Sequence, residues 1–336
     1  MIALLPAEPR ILIVKLSSLG DVIHAMPVVA DLRARHPGAQ IDWVVEPGFA
    51  PLVRRVAGIG EVIECAQRRW RKRWWSAEVR REKRQFRERL RAQAYDAVVD
   101  LQGLTKSALV VLSARRAPGG LRYALGNRTD GSGWEAPTRW VADRPIEIEP
   151  RIHVVDRSRR LCAEAFGTEI DTPPRFGLQA ATRPDPARPL MVLVHGTSRD
   201  DKLWPETHWI DFGRRRVGEG WHLALPQADA VEAARAARIA AAIGDAHCTL
   251  WPKMSLDAIV DRFGAAQAVV GVDSGLSHLA VALDRVHLQL YNFPTSWRTG
   301  PQPAHGHHHQ LSVESAAAGE PPTLEQVEQA WRQVAP

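Results

Sequence analysis

With 336 residues, 45% of them hydrophobic and 24% charged, the chain has a globular composition and is long enough for two separate cores. The net charge of +6 is local, because residues 68–91 alone hold twelve Lys or Arg against three acids; such a patch attracts phosphates, acidic sugars or anionic lipid. Three widely spaced cysteines, Cys65, Cys162 and Cys248, argue against a disulfide framework or a Cys-based metal site. The first apolar run, 11–14, is too short for a secretory signal or a membrane span, so a soluble cytoplasmic protein is expected.

The first predicted strand, 11–15, runs into Ser-Ser-Leu-Gly-Asp and then a helix over 21–36. Gly20 permits close backbone approach, and the helix amino terminus favours anions. The three-glycine dinucleotide fingerprint is missing, so no nicotinamide cofactor is implied. Asp21 reads either as a helix cap or as a general base taking a proton from an acceptor hydroxyl. Strands at 41–45, 61–65 and 96–101 follow, with helices over 75–94, 104–114 and 152–166, the alternation of parallel β-α-β units. In RRWRKRWW (68–75), five cations in six residues repel one another unless an anion visits, whether nucleic acid or an acidic glycolipid. Over 78–91 the interleaved charges fit a water-facing helix. Five prolines between 173 and 189 then mark an interdomain linker.

The rhythm restarts in the second half, with strands at 191–195, 221–225, 268–272 and 287–291 and helices over 206–218, 229–243, 255–264 and 275–283. After its first strand, HGTSRDDKLW offers the hydroxyls of Thr197 and Ser198 and the cation of Lys202, enough to hold a diphosphate; a solvated turn is the plainer reading. After the strand 268–272 comes DSGLSHLA, where the backbone amides of Ser274, Gly275 and Leu276 open a helix toward a phosphate. Asp273 could cap that helix, and His278 one turn in could reach the same anion. Glu232 follows the strand 221–225 and suits ribose hydroxyls, or simply opens its helix. HGHHH (305–309) is expected to be a solvated loop. The predicted domains are 1–175, a linker over 176–189, 190–315, and a terminal helical segment 316–336 packing back on the first domain.

The predicted fold is α/β, two Rossmann-like doubly wound domains facing a central cleft, each with its ligand edge at the strand carboxyl ends. Blocks at 11–27, 42–50, 68–77, 95–108, 195–209, 225–232, 252–256 and 272–285 stand in an order that resembles the lipopolysaccharide heptosyltransferases over nearly the whole chain. KLSSLGD and the RRW block look like the members that add the first heptose of the inner core.

The resemblance implies a glycosyltransferase-B fold and an inverting, metal-independent transfer without a cofactor. ADP-L-glycero-D-manno-heptose would be the donor on the second domain and Kdo2-lipid A the acceptor on the first. The enzyme would sit at the cytoplasmic face of the inner membrane, with no nucleic acid as partner. By motif position Asp21 is the base, while Thr197, Ser198, Lys202 and Asp273 to Leu276 (with Ser274 and Gly275) form the diphosphate site beside His278. Lys202 also stabilises the leaving group. Glu232 meets the ribose, and Lys253 and Met254 lie near the adenine. Ser18, Gly20, Gln102, Arg68, Arg69, Arg71 and Lys72 bind the acceptor. The chain departs from the family at YNFPT (291–295), where Tyr-Gly-Pro-Thr is usual, and at GWEAP (133–137), where an acceptor arginine is absent or replaced by Arg128 or Arg139. Rival readings are a related transferase with another donor sugar or the second-heptose acceptor, and a nucleic-acid-binding protein using 68–91.

Overall fold

The computed structural model describes residues 5–315 and 317–336. The chain divides into two compact units, one ending at Leu178 and the other spanning Gln179–Pro336. Residues 1–4, and residue 316 at the start of the expected terminal segment, lie outside the described residues.

In the first unit, six strands form one sheet: β1 Arg10–Val14, β2 Gln40–Val45, β3 Val62–Glu64, β4 Tyr95–Asp100, β5 Arg116–Leu125 and β6 Arg144–Ile146. Their order is β3-β2-β1-β4-β5-β6, with every pairing parallel. Ile11, Leu12, Ile13 and Val14 are all fully buried, as expected of a central strand with helices on both faces of its sheet. The helix predicted over 21–36 is two helices, Leu19–Ala25 and Pro27–Arg35, because Pro27 has no amide with which to continue the first. β5 escapes a propensity reading, since Ala-Pro-Gly-Gly looks like a turn. The strand shifts register against β4 at this point, and a Cβ on Gly120 would lie 2.5 Å from the Tyr95 carbonyl oxygen. Only glycine fits there.

The second unit repeats the plan with β7 Leu190–Val194, β8 His222–Pro226, β9 Cys248–Trp251, β10 Ala268–Val272, β11 Val286–Tyr291 and β12 Gln310–Glu314. Its order, β12-β11-β10-β7-β8-β9, is the same winding, again parallel throughout. Trp204, Trp209 and Phe212 lie at the centre of its core, the two indoles edge to face at 4.8 Å. The terminal helix Leu324–Val334 buries Val327, Ala330, Trp331 and Val334 in this same core. That corrects the expectation of packing on the first domain: a strongly amphipathic helix covers the nearest open sheet face, here that of β11 and β12.

The expected linker is fastened to its neighbours. Leu178 bridges to Val56 and the Gly177 carbonyl accepts the Ala57 amide at 2.9 Å, while the Ala181 amide donates to Asp261 at 2.7 Å. HGHHH is not wholly solvated either. Gly306 turns the chain with a φ of 82°, and His307 goes inside, 7% exposed.

In each sheet the chain winds outward in opposite directions from one strand pair, β1 and β4 in the first, β7 and β10 in the second. Between the carboxyl ends of such a pair the loops diverge and leave a crevice. KLSSLGD sits at the first of these places, and the loops holding Lys202 and Asp273 at the second.

Candidate active site

At the first switch point the chain leaves β1 through Lys15, Leu16, Ser17 and Ser18 before entering the helix Leu19–Ala25. Asp21, in that helix's first turn, accepts hydrogen bonds from the Ser18 amide at 3.0 Å and the Ser18 hydroxyl at 2.8 Å, both on Oδ2. Its other oxygen faces the Lys15 ammonium at 3.6 Å. Asp21 is therefore a cap and a partly open carboxylate together, its side chain 39% exposed. Burial works to raise its pKa, but Lys15 and the Ser18 hydrogen bonds outweigh it and hold the carboxyl at about 2.

Lys15 is buried and donates to the Leu101 carbonyl at 3.0 Å. Burial pushes its ammonium down to about 8, against the pull of Asp21. Beneath lies Asp100, wholly enclosed, holding the Gln102 and Gly103 amides and the Ser107 hydroxyl; burial raises its carboxyl to about 6. Gln102, expected to meet acceptor, turns its side-chain oxygen to the amides of Leu16 and Ser17, 3.0 Å from each. It braces the loop. Lys106 reaches the Ser17 hydroxyl at 2.9 Å. Ser18 is exposed and Gly20 partly so, both at the mouth of the crevice.

The basic block forms a short helix, Gln67–Lys72. Arg68 and Arg71 line a groove of about 450 Å³ with Lys83, Lys106 and Glu46. The Arg68 amide donates to Glu46, whose carboxyl burial raises. Arg69 is turned away and paired with Glu82 at 2.6 Å, while Lys72 ends the helix, exposed. Trp70 is buried and donates to Glu82 at 2.8 Å, whereas Trp74 and Trp75 stand 67% and 63% exposed. Within GWEAP, Glu135 reaches back to the helix Thr105–Ser113 and accepts its first amide, that of Thr105, at 2.6 Å; Arg128 and Arg139 are both exposed.

At the second switch point, Lys202 Nζ lies 2.5 Å from Asp273 Oδ2, and His278 Nε2 lies 3.6 Å from Oδ1 of the same carboxylate. Burial raises this carboxyl, but His278 and Lys202 overcome it and hold it well below the usual carboxylate range. Asp273 is thus a partner of two side chains and not the helix cap; Ser274 stands at the cap position of Gly275–Ala282. The amides of Gly275 and Leu276 open that helix and have no intrahelical acceptor. Thr197 lends its hydroxyl to the Asp273 carbonyl at 3.0 Å, which ties the β7 loop to the β10 loop, and Ser198 is exposed beside it.

Glu232 follows β8. Its carboxylate takes the Ala228 amide at 2.7 Å and overhangs Gly196, where an added Cβ would lie 2.3 Å from Oε1. Lys253 and Met254 follow β9, the lysine exposed. Asn292, in the YNFPT departure, is a residue the sequence reading passed over. It is buried and donates from Nδ2 to the carbonyls of Asp201 and Leu203 at 2.9 and 3.0 Å, the residues on either side of Lys202.

Along this sheet edge the strands run β10, β7, β8, β9. The helix terminus and Lys202 sit at the first two, Glu232 at the third, and Lys253 with Met254 at the fourth, each step about 4.8 Å. That is the order in which phosphates, ribose and base are linked in a nucleotide.

The sequence profile of glycosyltransferase family 9 (heptosyltransferase) matches residues 83–325. Lipopolysaccharide heptosyltransferase 1 of Escherichia coli strain K12 is 39% identical over 292 residues, which is 84% of this chain and 87% of that protein. The solved structure of the E. coli heptosyltransferase WaaC with ADP superposes with a TM-score of 0.84 at 35% identity, covering 97% of this chain and all (100%) of that one. WaaC with ADP-2-deoxy-2-fluoro heptose gives 0.82 at 36% identity, with coverage of 97% and 100%.

Proposed function

The chain belongs to glycosyltransferase family 9, the heptosyltransferases, and from that premise we propose that it moves heptose from ADP-heptose to the lipopolysaccharide inner core as its first heptose. The acceptor is the Kdo residue of Kdo2-lipid A, and the anomeric centre inverts. What carries the donor half of this reading is the order of groups along the second sheet's edge. The phosphates go to the Gly275 and Leu276 amides and Lys202, the ribose to Glu232, the adenine to the turn at Lys253 and Met254. The relatives' names and bound ligands point the same way.

The reaction joins what the first unit binds to what the second unit binds. A Kdo hydroxyl oxygen forms a bond to the heptose anomeric carbon as that carbon's bond to the diphosphate oxygen breaks, the electron pair leaving with ADP. The hydroxyl proton passes to Asp21. A carboxyl held at about 2 is ionised throughout the working pH range. It takes the proton once the attacking oxygen has begun to bond to carbon, when that proton is far more acidic than in a free alcohol. Charge collecting on ADP meets the Lys202 ammonium and the helix terminus, which act as a divalent cation does in other transferases. Arg68 and Arg71 hold the acceptor's phosphates or carboxylates. The enzyme works at the membrane surface, and among the described residues no helix is long and apolar enough to cross a membrane.

The test is turnover of ADP-heptose with Kdo2-lipid A, read by mass spectrometry as one added heptose and run with and without EDTA. Asp21→Ala should keep ADP affinity and lose transfer by about a hundredfold or more. Near-normal turnover by that variant would remove Asp21 from the mechanism, and loss of turnover in EDTA would end the metal-free reading.

A further inference from the structure

The helix Thr105–Ser113 breaks the rule for a surface helix. Ala108, Val110 and Val111 fill the core beneath it, yet the face toward water carries Leu109 and Leu112, 59% and 52% exposed and one turn apart. A helix washed by water on that side should be polar there. The short helix packed against it, Pro137–Val141, adds Trp140, 77% exposed.

Cations stand on either side of the leucines. Leu109 shares its groove with Arg68, Arg71, Lys83 and Lys106. Leu112 borders a second recess, of about 770 Å³, which holds Arg91, Arg115, Arg116 and Arg122. Arg116 is paired with Asp143 at 2.7 Å, but Arg122 Nε is enclosed with no hydrogen-bond partner among the described residues. Apolar side chains flanked by cations, with an indole alongside, match the layers of an anionic bilayer: acyl chains at the leucines, phosphates at the arginines, the indole at the interface.

We infer that Thr105–Ser113 is the element on which this enzyme rests on an anionic phospholipid bilayer, and that the recess at Leu112 takes phospholipid headgroups rather than the acceptor. The inference deepens the proposed function, because it rests on an acceptor that is itself a lipid. Its effect is to hold the groove at Arg68 and Arg71 at the height of the membrane's phosphates.

The full chain is mixed with vesicles of phosphatidylcholine, alone or with phosphatidylglycerol, and no acceptor, and is then sedimented. Wild type should bind the anionic vesicles and be released by high salt. The double variant Leu112→Asn, Trp140→Asn should weaken that binding about tenfold or more, and Arg91→Ser with Arg115→Ser should weaken it and lower its salt sensitivity. All four positions are outside the proposed catalytic and acceptor sites, so turnover of detergent-dispersed acceptor should stay within about twofold of wild type. Equal binding to both vesicles, or leucine–tryptophan and arginine variants that bind like wild type, would overturn the inference. So would a dimer in solution that the leucine–tryptophan variant dissociates without change in vesicle binding, which would make this face a subunit interface. Vesicle binding by a chain that fails to turn over ADP-heptose would leave the docking face standing and sink the proposed reaction instead.

Discussion

Asn292→Ala tests whether Lys202, proposed to meet the sugar nucleotide, depends on a clamp the family motif does not require. The Asn292 amide holds the carbonyls before and after Lys202, at 2.9 and 3.0 Å, from a buried position. Each neutral hydrogen bond contributes about 1 kcal/mol net, so losing both favours an open loop by roughly 2 kcal/mol. If ADP binds only the closed loop and the clamp is what keeps a marginal loop closed, its apparent Kd rises by the inverse of the fraction left closed, up to about thirtyfold. Asn292→Asp should be worse, since it sets a carboxylate against two carbonyl oxygens. Calorimetric titration with ADP beside a thermal melt checks this. A lower melting temperature with ADP affinity within about twofold of wild type would refute the clamp and leave Asn292 as ordinary packing.

Gly196→Ala should swing Glu232 out of its place, because the new Cβ would lie 2.3 Å from Oε1. ADP binding should weaken about tenfold, and Glu232→Ala should add little on top of it, which a double-mutant cycle reads directly. Lys202→Met should lower kcat about a hundred- to a thousandfold, as for loss of one charge-stabilising donor; single-turnover kinetics separate this from slow product release. Burial holds His195, His287 and His307 at about 4, against an ordinary 6.5. Between those pH values the unfolded chain binds more protons, so stability is intact above about 6.5 and falls as the pH drops toward 4. Each fully buried imidazole accounts for up to roughly 3 kcal/mol. Melting at pH 5 should come well below that at pH 7, and an unchanged melting temperature would contradict neutral burial.

Much of the candidate site was legible because its residues punctuate the chain. KLSSLGD and VDSGLSH each close an apolar strand and open a helix, and that change of period is visible without partners. The strands that went unread were those whose identity depends on a neighbour. β6 has three residues, β9 four and β12 five, all at sheet edges, and β5 carries a Pro-Gly-Gly that is tolerable only at its register shift against β4. The missed site residues follow the same logic. Lys15 ends a strand and looks like its solvent boundary, yet its partner carbonyl is Leu101, 86 residues on. Asn292 read only as a departure from the motif, since its acceptors lie 91 and 89 residues back. Among the four predicted cations, only the fold could tell that Arg69 turns to Glu82 while Arg68 and Arg71 face the groove.

The Trp204 indole nitrogen, just after Lys202, donates to the Pro322 carbonyl at 2.7 Å, one residue short of the cap of the last helix. The approach to the last helix is therefore a strut for the loop that carries Lys202. Removing the segment from that proline onward would loosen a loop 118 residues upstream. A purification tag joined after the exposed Pro336 would leave the strut untouched.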